Sequence, residues 1–321
     1  MNTINKQVGA LLKLPEGVLE TDIDYDYVPF LVVKNLTRQR LYVNIMKKTS
    51  EYLRTIGDDL PILLNATVNV IPRLNKKTGQ RDCNSPLSEN ELCYMHQLSD
   101  DVTDKMPVGL LLFKGCYVLV TKNLGVKYHL ANGTRAKVVG WQFPVGTIYK
   151  ETKYKGISVI EPYKSGTTAF IRDDLATVDF VLINICKKLI CEKPSNQPPN
   201  LPVNVVAIPV MKVNVQKSIK LPNGFNRSSV AISIEQIPLR QGNTLTTYSV
   251  RNQYCRYNIA ETNTRDFYVA FSRGKFGMQS ISLEKPITDS FTKKCQPNKS
   301  LIKEMKCLIN FHNETKEMLM F

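Results

Sequence analysis

Phe30-Leu-Val-Val-Lys34 is a short apolar run, and the residues behind it change period: Leu41, Ile45, Tyr52, Leu53 and Ile56 recur at helical spacing. The run reads as a buried strand and the periodic stretch as a helix packed on it. Thr37 stands where a helix N-cap is expected, and Gly57 where the helix should stop. Leu60-Pro-Ile-Leu-Leu-Asn-Ala-Thr-Val-Asn-Val-Ile71 then returns as a second strand. Strand, helix and strand in succession form the unit of a mainly parallel sheet, so the expected class is α/β.

On the N-terminal side, residues 1–28 carry an acidic patch and read as a poorly ordered opening segment. On the other side, residues 72–106 turn polar, with Gly79, Pro86 and several Asp, Asn and Ser, and read as a connector. Short β-rich runs follow at 110–113, 117–121, 136–140, 156–160, 178–185 and 203–210, and Asn132-Gly133 is a hairpin signal between two of them. Many short strands at modest spacing suggest a small barrel or antiparallel insertion. Prolines 194, 198, 199 and 202 mark a stiff linker. The α/β pattern then resumes. Val230, Ile232 and Ile234 alternate as a half-buried strand, and a helix is expected at 245–250. A strand at 257–259, a helix at 265–272 and a strand at 280–283 should follow, then a last helix capped by Ser300, with His312 at the edge of its apolar face.

With 321 residues the chain has room for two domains. Lys and Arg number 43 against 28 Asp and Glu, a formal net charge of +15. Such an excess draws polyanions, nucleic acid first among them, although a basic surface can also serve solubility alone. No apolar run approaches the ~20 residues that cross a bilayer, and the N-terminus lacks a secretory pattern, so no membrane partner and no secretion are expected. The eight cysteines form no Cys-x-x-Cys pair, and the three histidines keep no ligand spacing with them; reduced, mostly buried thiols are the expectation.

Self-contained hydrolytic chemistry is missing. Gly274-Lys275 is followed by Phe276, so there is no phosphate-cradling Gly-x-x-x-x-Gly-Lys-Ser/Thr loop. Asp58-Asp59, Asp100-Asp101 and Asp173-Asp174 read as surface acids rather than a magnesium site, and no nucleophile elbow or His-Glu-x-x-His is present.

Three segments nevertheless stand out in order: Val108-Gly-Leu-Leu-Leu-Phe-Lys-Gly-Cys-Tyr-Val-Leu-Val-Thr-Lys-Asn-Leu124 with Leu130-Ala-Asn-Gly-Thr-Arg135, then Pro238-Leu-Arg-Gln-Gly-Asn-Thr-Leu-Thr-Thr-Tyr-Ser-Val-Arg-Asn252, then Asp266-Phe-Tyr-Val-Ala-Phe-Ser-Arg273. Together with Val32-Val-Lys-Asn-Leu-Thr-Arg38, they resemble the C-terminal motor half of superfamily 1 DNA helicases of the Pif type, including their Helitron-transposon relatives. The resemblance runs from about residue 30 to 285.

The resemblance implies a RecA-like three-layer lobe with a mainly parallel sheet, interrupted by a small β-barrel insertion. On that reading residues 29–106 begin the lobe, 107–225 are the insertion and 226–321 complete the lobe with a C-terminal helix. It implies an ATP-dependent 5′-to-3′ DNA helicase, nuclear, or cytoplasmic in a viral or bacterial source. ATP and Mg²⁺ belong to it only with a first RecA-like lobe, in cis or in trans; the chain alone takes no cofactor and should be inactive. Arg273 matches the family's arginine finger, the catalytic cation that meets charge on the transferring phosphoryl group. Arg240 opens motif V and matches a nucleotide or interdomain contact. Thr246, Tyr248 and Ser249 fall on the segment that touches single-stranded DNA, where small hydroxyls suit phosphate. Lys34, Asn35, Lys122 and Asn123 are groove candidates that read equally well as solvated surface.

The pattern also departs from the family. Tyr248 stands for its His, and Arg251-Asn252 for its Gln-Gly, which puts the coupling of nucleotide to DNA grip in doubt. A decayed, non-enzymatic nucleic-acid-binding or interaction module is therefore the alternative. An unrelated basic α/β protein with coincidental motifs is a third reading.

Overall fold

The computed structural model describes residues 29–32, 34–72, 85–185, 197–198, 201–202, 204–246, 257–259, 281–283 and 303. β1 (Phe30–Val32) leads into α1 (Asn35–Thr55), which stops at Ile56 and Gly57. Gly57 takes φ +71°, a left-handed conformation that favours glycine at a helix end. The cap position is Lys34 rather than Thr37, and no side chain caps the helix. The helix is also rotated from the expected face. Arg38, Met46, Ser50 and Leu53 are buried, whereas Tyr52 is 63% and Ile56 53% exposed. Ser50 seats the inner face by donating to the Ser158 carbonyl at 2.6 Å.

The expected second strand is two, β2 (Ile62–Asn65) and β3 (Thr67–Val70), parted where Ala66 N–H turns to the Val108 carbonyl. β1 and β2 do not share a sheet, so the strand-helix-strand stretch is not one parallel unit. β2 pairs antiparallel with β4 (Gly109–Leu112) and parallel with β8 (Ile157–Tyr163), and β7 (Ile148–Tyr154) is the outer strand beside β8. β7 escaped sequence reading because Ile-Tyr-Lys-Glu-Thr-Lys-Tyr is a polar edge strand with little apolar alternation.

A five-stranded antiparallel sheet runs β10–β9–β6–β5–β15, made of β5 (Tyr117–Val120), β6 (Arg135–Gln142), β9 (Phe180–Ile185), β10 (Val205–Pro209) and β15 (Leu239–Gln241). Asn132-Gly133 does form a turn before β6, with Gly133 at φ +91° and Thr134 N–H on the Ala131 carbonyl, though the β5–β6 connection also holds a short helical turn. This sheet packs on the β2–β4 sheet through one cluster that includes Ile62, Leu64, Leu110, Leu112, Val118, Val120, Val138 and Ile183. Leu63 and Leu111, one residue out of phase, join Met46 of α1 in a second cluster. β2 and β4 are thus covered on both faces, which is why they read as unbroken apolar runs.

β11 (Met211–Asn214), β14 (Ile232–Gln236) and β3 form a third sheet, and β12 (Ile219–Lys220) pairs with β13 (Ser229–Val230). Val230, Ile232, Ser233 and Ile234 are all buried, so this stretch is enclosed on both faces rather than half-buried. The 72–106 connector contains α2 (Glu89–Met95). Its start is a capping box: Ser88 Oγ accepts from Glu91 N–H at 3.3 Å and Glu91 Oε2 accepts from Ser88 N–H at 2.8 Å. Arg227 Nε lies 2.9 Å from Glu91 Oε1 and ties the helix to the third sheet's surroundings. Ser88→Ala should therefore cost about 1 kcal/mol in a urea unfolding titration; an unchanged midpoint would show that α2 is held by packing alone.

The parallel sheet is four-stranded. Its order is β16 (Thr244–Thr246), β1, β17 (Tyr257–Ile259) and β18 (Ile281–Leu283), every pair parallel. The helix expected from residue 245 begins instead as this strand, while 247–250 and the segment at 265–272 lie outside the described residues, as does 300–312 apart from Lys303, which is helical. The chain is thus a mixed α/β protein rich in strands. Among the described residues no helix is long and apolar enough to cross a membrane.

Candidate nucleic-acid interface

β1 and β16 lie side by side in register: Phe30 with Thr244, Leu31 with Leu245, Val32 with Thr246. Leu31, Val32, Thr244 and Leu245 are fully or almost fully buried, so the sheet is anchored at its centre and the chain emerges at its carboxyl end. Thr246 is half-buried at that end, and two residues beyond Val32 the exposed Lys34 leads into α1. Gly242 makes the crossing into β16 possible. A Cβ there would stand 3.0 Å from the Tyr117 carbonyl carbon and oxygen, and its N–H donates to that oxygen at 2.8 Å.

The first turn of α1 has no acidic residue and no side-chain cap. Its open N–H groups and the positive end of the helix dipole therefore lie next to Lys34, a combination suited to phosphate. Asn35 is partly committed, since its Oδ1 accepts from Arg38 Nε at 3.3 Å. Arg38 itself turns inward to a buried ion pair with Asp100. Asp100 is therefore not the surface acid its sequence context suggested; Asp58, Asp59, Asp101 and Asp173 are exposed.

The other candidates lie elsewhere. Arg240 is on β15 opposite Leu119, in the antiparallel sheet, and lines a cleft of about 70 Å³ with Arg38, Tyr42, His96 and Gln241. Lys122 and Asn123 follow β5 and line a separate cleft of about 350 Å³ that also holds Asp101, Asp104 and Lys105. Acids and lysines are mixed there, which gives little net attraction for phosphate. The Asn123 Oδ1 accepts from Asn132 N–H at 2.9 Å, so this side chain organises a turn. Arg273, Tyr248 and Ser249 lie outside the described residues.

Sequence reading missed the Arg38–Asp100 pair and the polar cleft behind it. Their partners are 62 residues apart and more, and no local pattern announces them. Cys116 is buried, and desolvation pushes its thiol up to about 12, which makes it inert at neutral pH. Cys93 is exposed. Among the described residues no three His, Cys, Asp or Glu side chains group to hold a metal.

No protein-family model matches the sequence, and no curated protein does. Solved structures that it matches include Pif1 helicases. The Pif1 helicase of Candida albicans matches with a TM-score of 0.46 and 15% identity, over 96% of this chain and 54% of that one. Bacteroides Pif1 bound to ssDNA matches at 0.44 and 11%, over 96% and 51%. Pif1 helicase from Bacteroides with ADP-AlF3 and ssDNA matches at 0.45 and 11%, over 95% and 50%. The chain spans about half the length of the Pif1 structures it matches.

Proposed function

We propose that this chain is the C-terminal motor-lobe portion of an ATP-dependent 5′-to-3′ DNA helicase, a RecA-like lobe with a barrel-like insertion. On this reading it grips single-stranded DNA at the carboxyl end of the parallel sheet, and Arg273 serves ATP held by a first lobe. The supporting observation is the β1–β16 register. Val32-Val-Lys-Asn-Leu-Thr-Arg38 and the Pro238–Asn252 segment are about two hundred residues apart, yet Lys34 and Thr246 come to one end of one sheet. Ligands of parallel α/β sheets characteristically bind at that end.

The chemistry assigned to the site is backbone gripping. Lys34, the open N–H groups of α1 and the Thr246 hydroxyl offer donors to phosphate oxygens without reading bases. Tyr248 adds a ring on which a base can stack, worth ~1–3 kcal/mol. The sequence carries no loop to cradle β- and γ-phosphates, so the chain by itself hydrolyses no ATP on this reading.

The test is fluorescence anisotropy with labelled oligo(dT). With Lys34 as the cation of the grip, the affinity should be about 3-fold weaker at roughly 200 mM than at 50 mM salt, and Lys34→Ala should lower the salt slope by about 0.7. Absence of binding at the lower salt would sink the proposal. Tyr248 and Arg251-Asn252, where the family has His and Gln-Gly, favour a second reading in which the grip survives without the motor. Single-strand binding without any ATPase in the presence of a first lobe would select it.

A further inference from the structure

We propose that the outer strand β7 is a docking edge for a second copy of this chain, the two β7 strands pairing antiparallel about a two-fold axis at Thr152. The inference stands independently of the proposed motor role. β7 ends the β4–β2–β8–β7 sheet, and Ile-Tyr-Lys-Glu-Thr-Lys-Tyr holds no proline, glycine or bulge. Ile160 of β8 donates its N–H to the Pro61 carbonyl at 2.8 Å, away from β7, and Pro162 has no N–H to give. By the period of two, β8 bonds to β7 through Ile157, Val159, Glu161 and Tyr163, whose cross-strand partners are Tyr154, Thr152, Lys150 and Ile148. Tyr149, Glu151 and Lys153 therefore turn their N–H and C=O groups outward, and no described residue takes those bonds.

The outer edge of β10 is built differently. Val205 donates its N–H to the Pro202 carbonyl at 3.0 Å, and Pro209 has no N–H. Between them, Ala207 N–H donates to Gln197 Oε1 at 2.6 Å and the Ala207 carbonyl accepts from Gln197 Nε2 at 3.1 Å, so one side-chain amide stands in for a neighbouring strand. β7 has no such cover among the described residues. A regular strand with open backbone groups is a template for another strand.

Charge selects which strand. Glu151 and Lys153 are both exposed and, two residues apart, lie on one face of β7. A two-fold axis at Thr152 sets Glu151 opposite Lys153 of the second copy, and Lys153 opposite its Glu151. Both are outward residues, so each pair joins a hydrogen-bonded position of the ladder to an ion pair. An axis at Glu151 would instead set two carboxylates face to face, which destabilises. Lysine on an edge commonly repels further strands; here Glu151 supplies the counter-charge in one register only. Arg54 also reaches Glu151, but both side chains of that pair are more than half exposed and the second carboxylate oxygen stays free. The contact uses the same patch on both copies, so it closes at two rather than growing a fibre.

Sedimentation velocity of the full chain, free of nucleic acid, from about 1 to about 200 μM tests the edge, a range suited to a contact at the small end of protein interfaces. The wild-type chain should pass from monomer towards dimer as its concentration rises. Glu151→Lys and Lys153→Glu each set like charges opposite one another at both pairs and should weaken association about tenfold. Both side chains are exposed, so the variants keep the fold. An equimolar mixture of the two variants sets opposite charges across both pairs again, and should associate as the wild type does. Recovery in the mixture cannot come from a change in folding, because each variant alone fails. A wild-type chain that stays monomeric throughout, single variants that associate like the wild type, or a mixture that stays monomeric would each overturn the proposal.

Discussion

Arg273→Ala should lower ATP turnover by about 10³–10⁵-fold when this chain is combined with a Pif-type first lobe supplied in trans. The size follows from the chemistry. Charge gathers on the γ-phosphoryl oxygens in the transition state, and a guanidinium fixed on the opposite lobe meets it without reorganising. Arg273 ends Tyr-Val-Ala-Phe-Ser-Arg, the segment that resembles the family's finger motif. Arg273→Lys should recover little, because a point charge on a flexible stem does not reproduce the planar fork. Single-strand affinity should stay unchanged, which separates loss of the finger from loss of the fold. Equal turnover by wild type and Arg273→Ala in the reconstituted pair would remove the catalytic role.

The second large effect concerns stability. Asp100→Ala leaves the Arg38 guanidinium buried without its counter-charge and should cost about 3–5 kcal/mol. Side-chain exposures of 6% and 8% mean that water cannot replace the lost partner. A midpoint lowered by roughly 10 °C in thermal unfolding is expected. The double replacement Arg38→Met with Asp100→Leu should return most of the loss, because burying two apolar groups removes both desolvation penalties. Arg38 lies one turn into α1, so Asp100→Ala should also weaken single-strand binding through Lys34 and Asn35. A single variant as stable as wild type would show that the pair is solvated.

What could be read from the sequence divides along physical lines. β4, β5 and β10 were legible because enclosure on both faces demands continuous apolar residues, β9 because its buried residues alternate, and Gly57 marked the end of α1 through its backbone freedom. β7 was hidden by its edge position. α2 was overlooked although Ser88 and Glu91 stand at capping-box spacing; the polar composition around them outweighed a four-residue signal. Sheet membership was the larger gap. Nothing local says that β2 pairs with β4 and β8 rather than with β1, or that Leu239–Gln241 belongs to the antiparallel sheet while Thr244–Thr246, across one glycine-dependent turn, belongs to the parallel one. The same holds for the site. Lys34 and Thr246 could be singled out by resemblance, but their meeting at one sheet end is a property of strand pairing.

Photo-crosslinking of the full chain to 4-thiothymidine-substituted single-stranded DNA, with the attached peptides identified by mass spectrometry, probes the proposed grip at its location. Crosslinks should concentrate on peptides containing Lys34–Asn35 and Thr246–Ser249 and fade as salt is raised. Crosslinks confined to the cleft of Lys122 and Asn123 or to the outer β7 strand, with none at the carboxyl end of the parallel sheet, would contradict it.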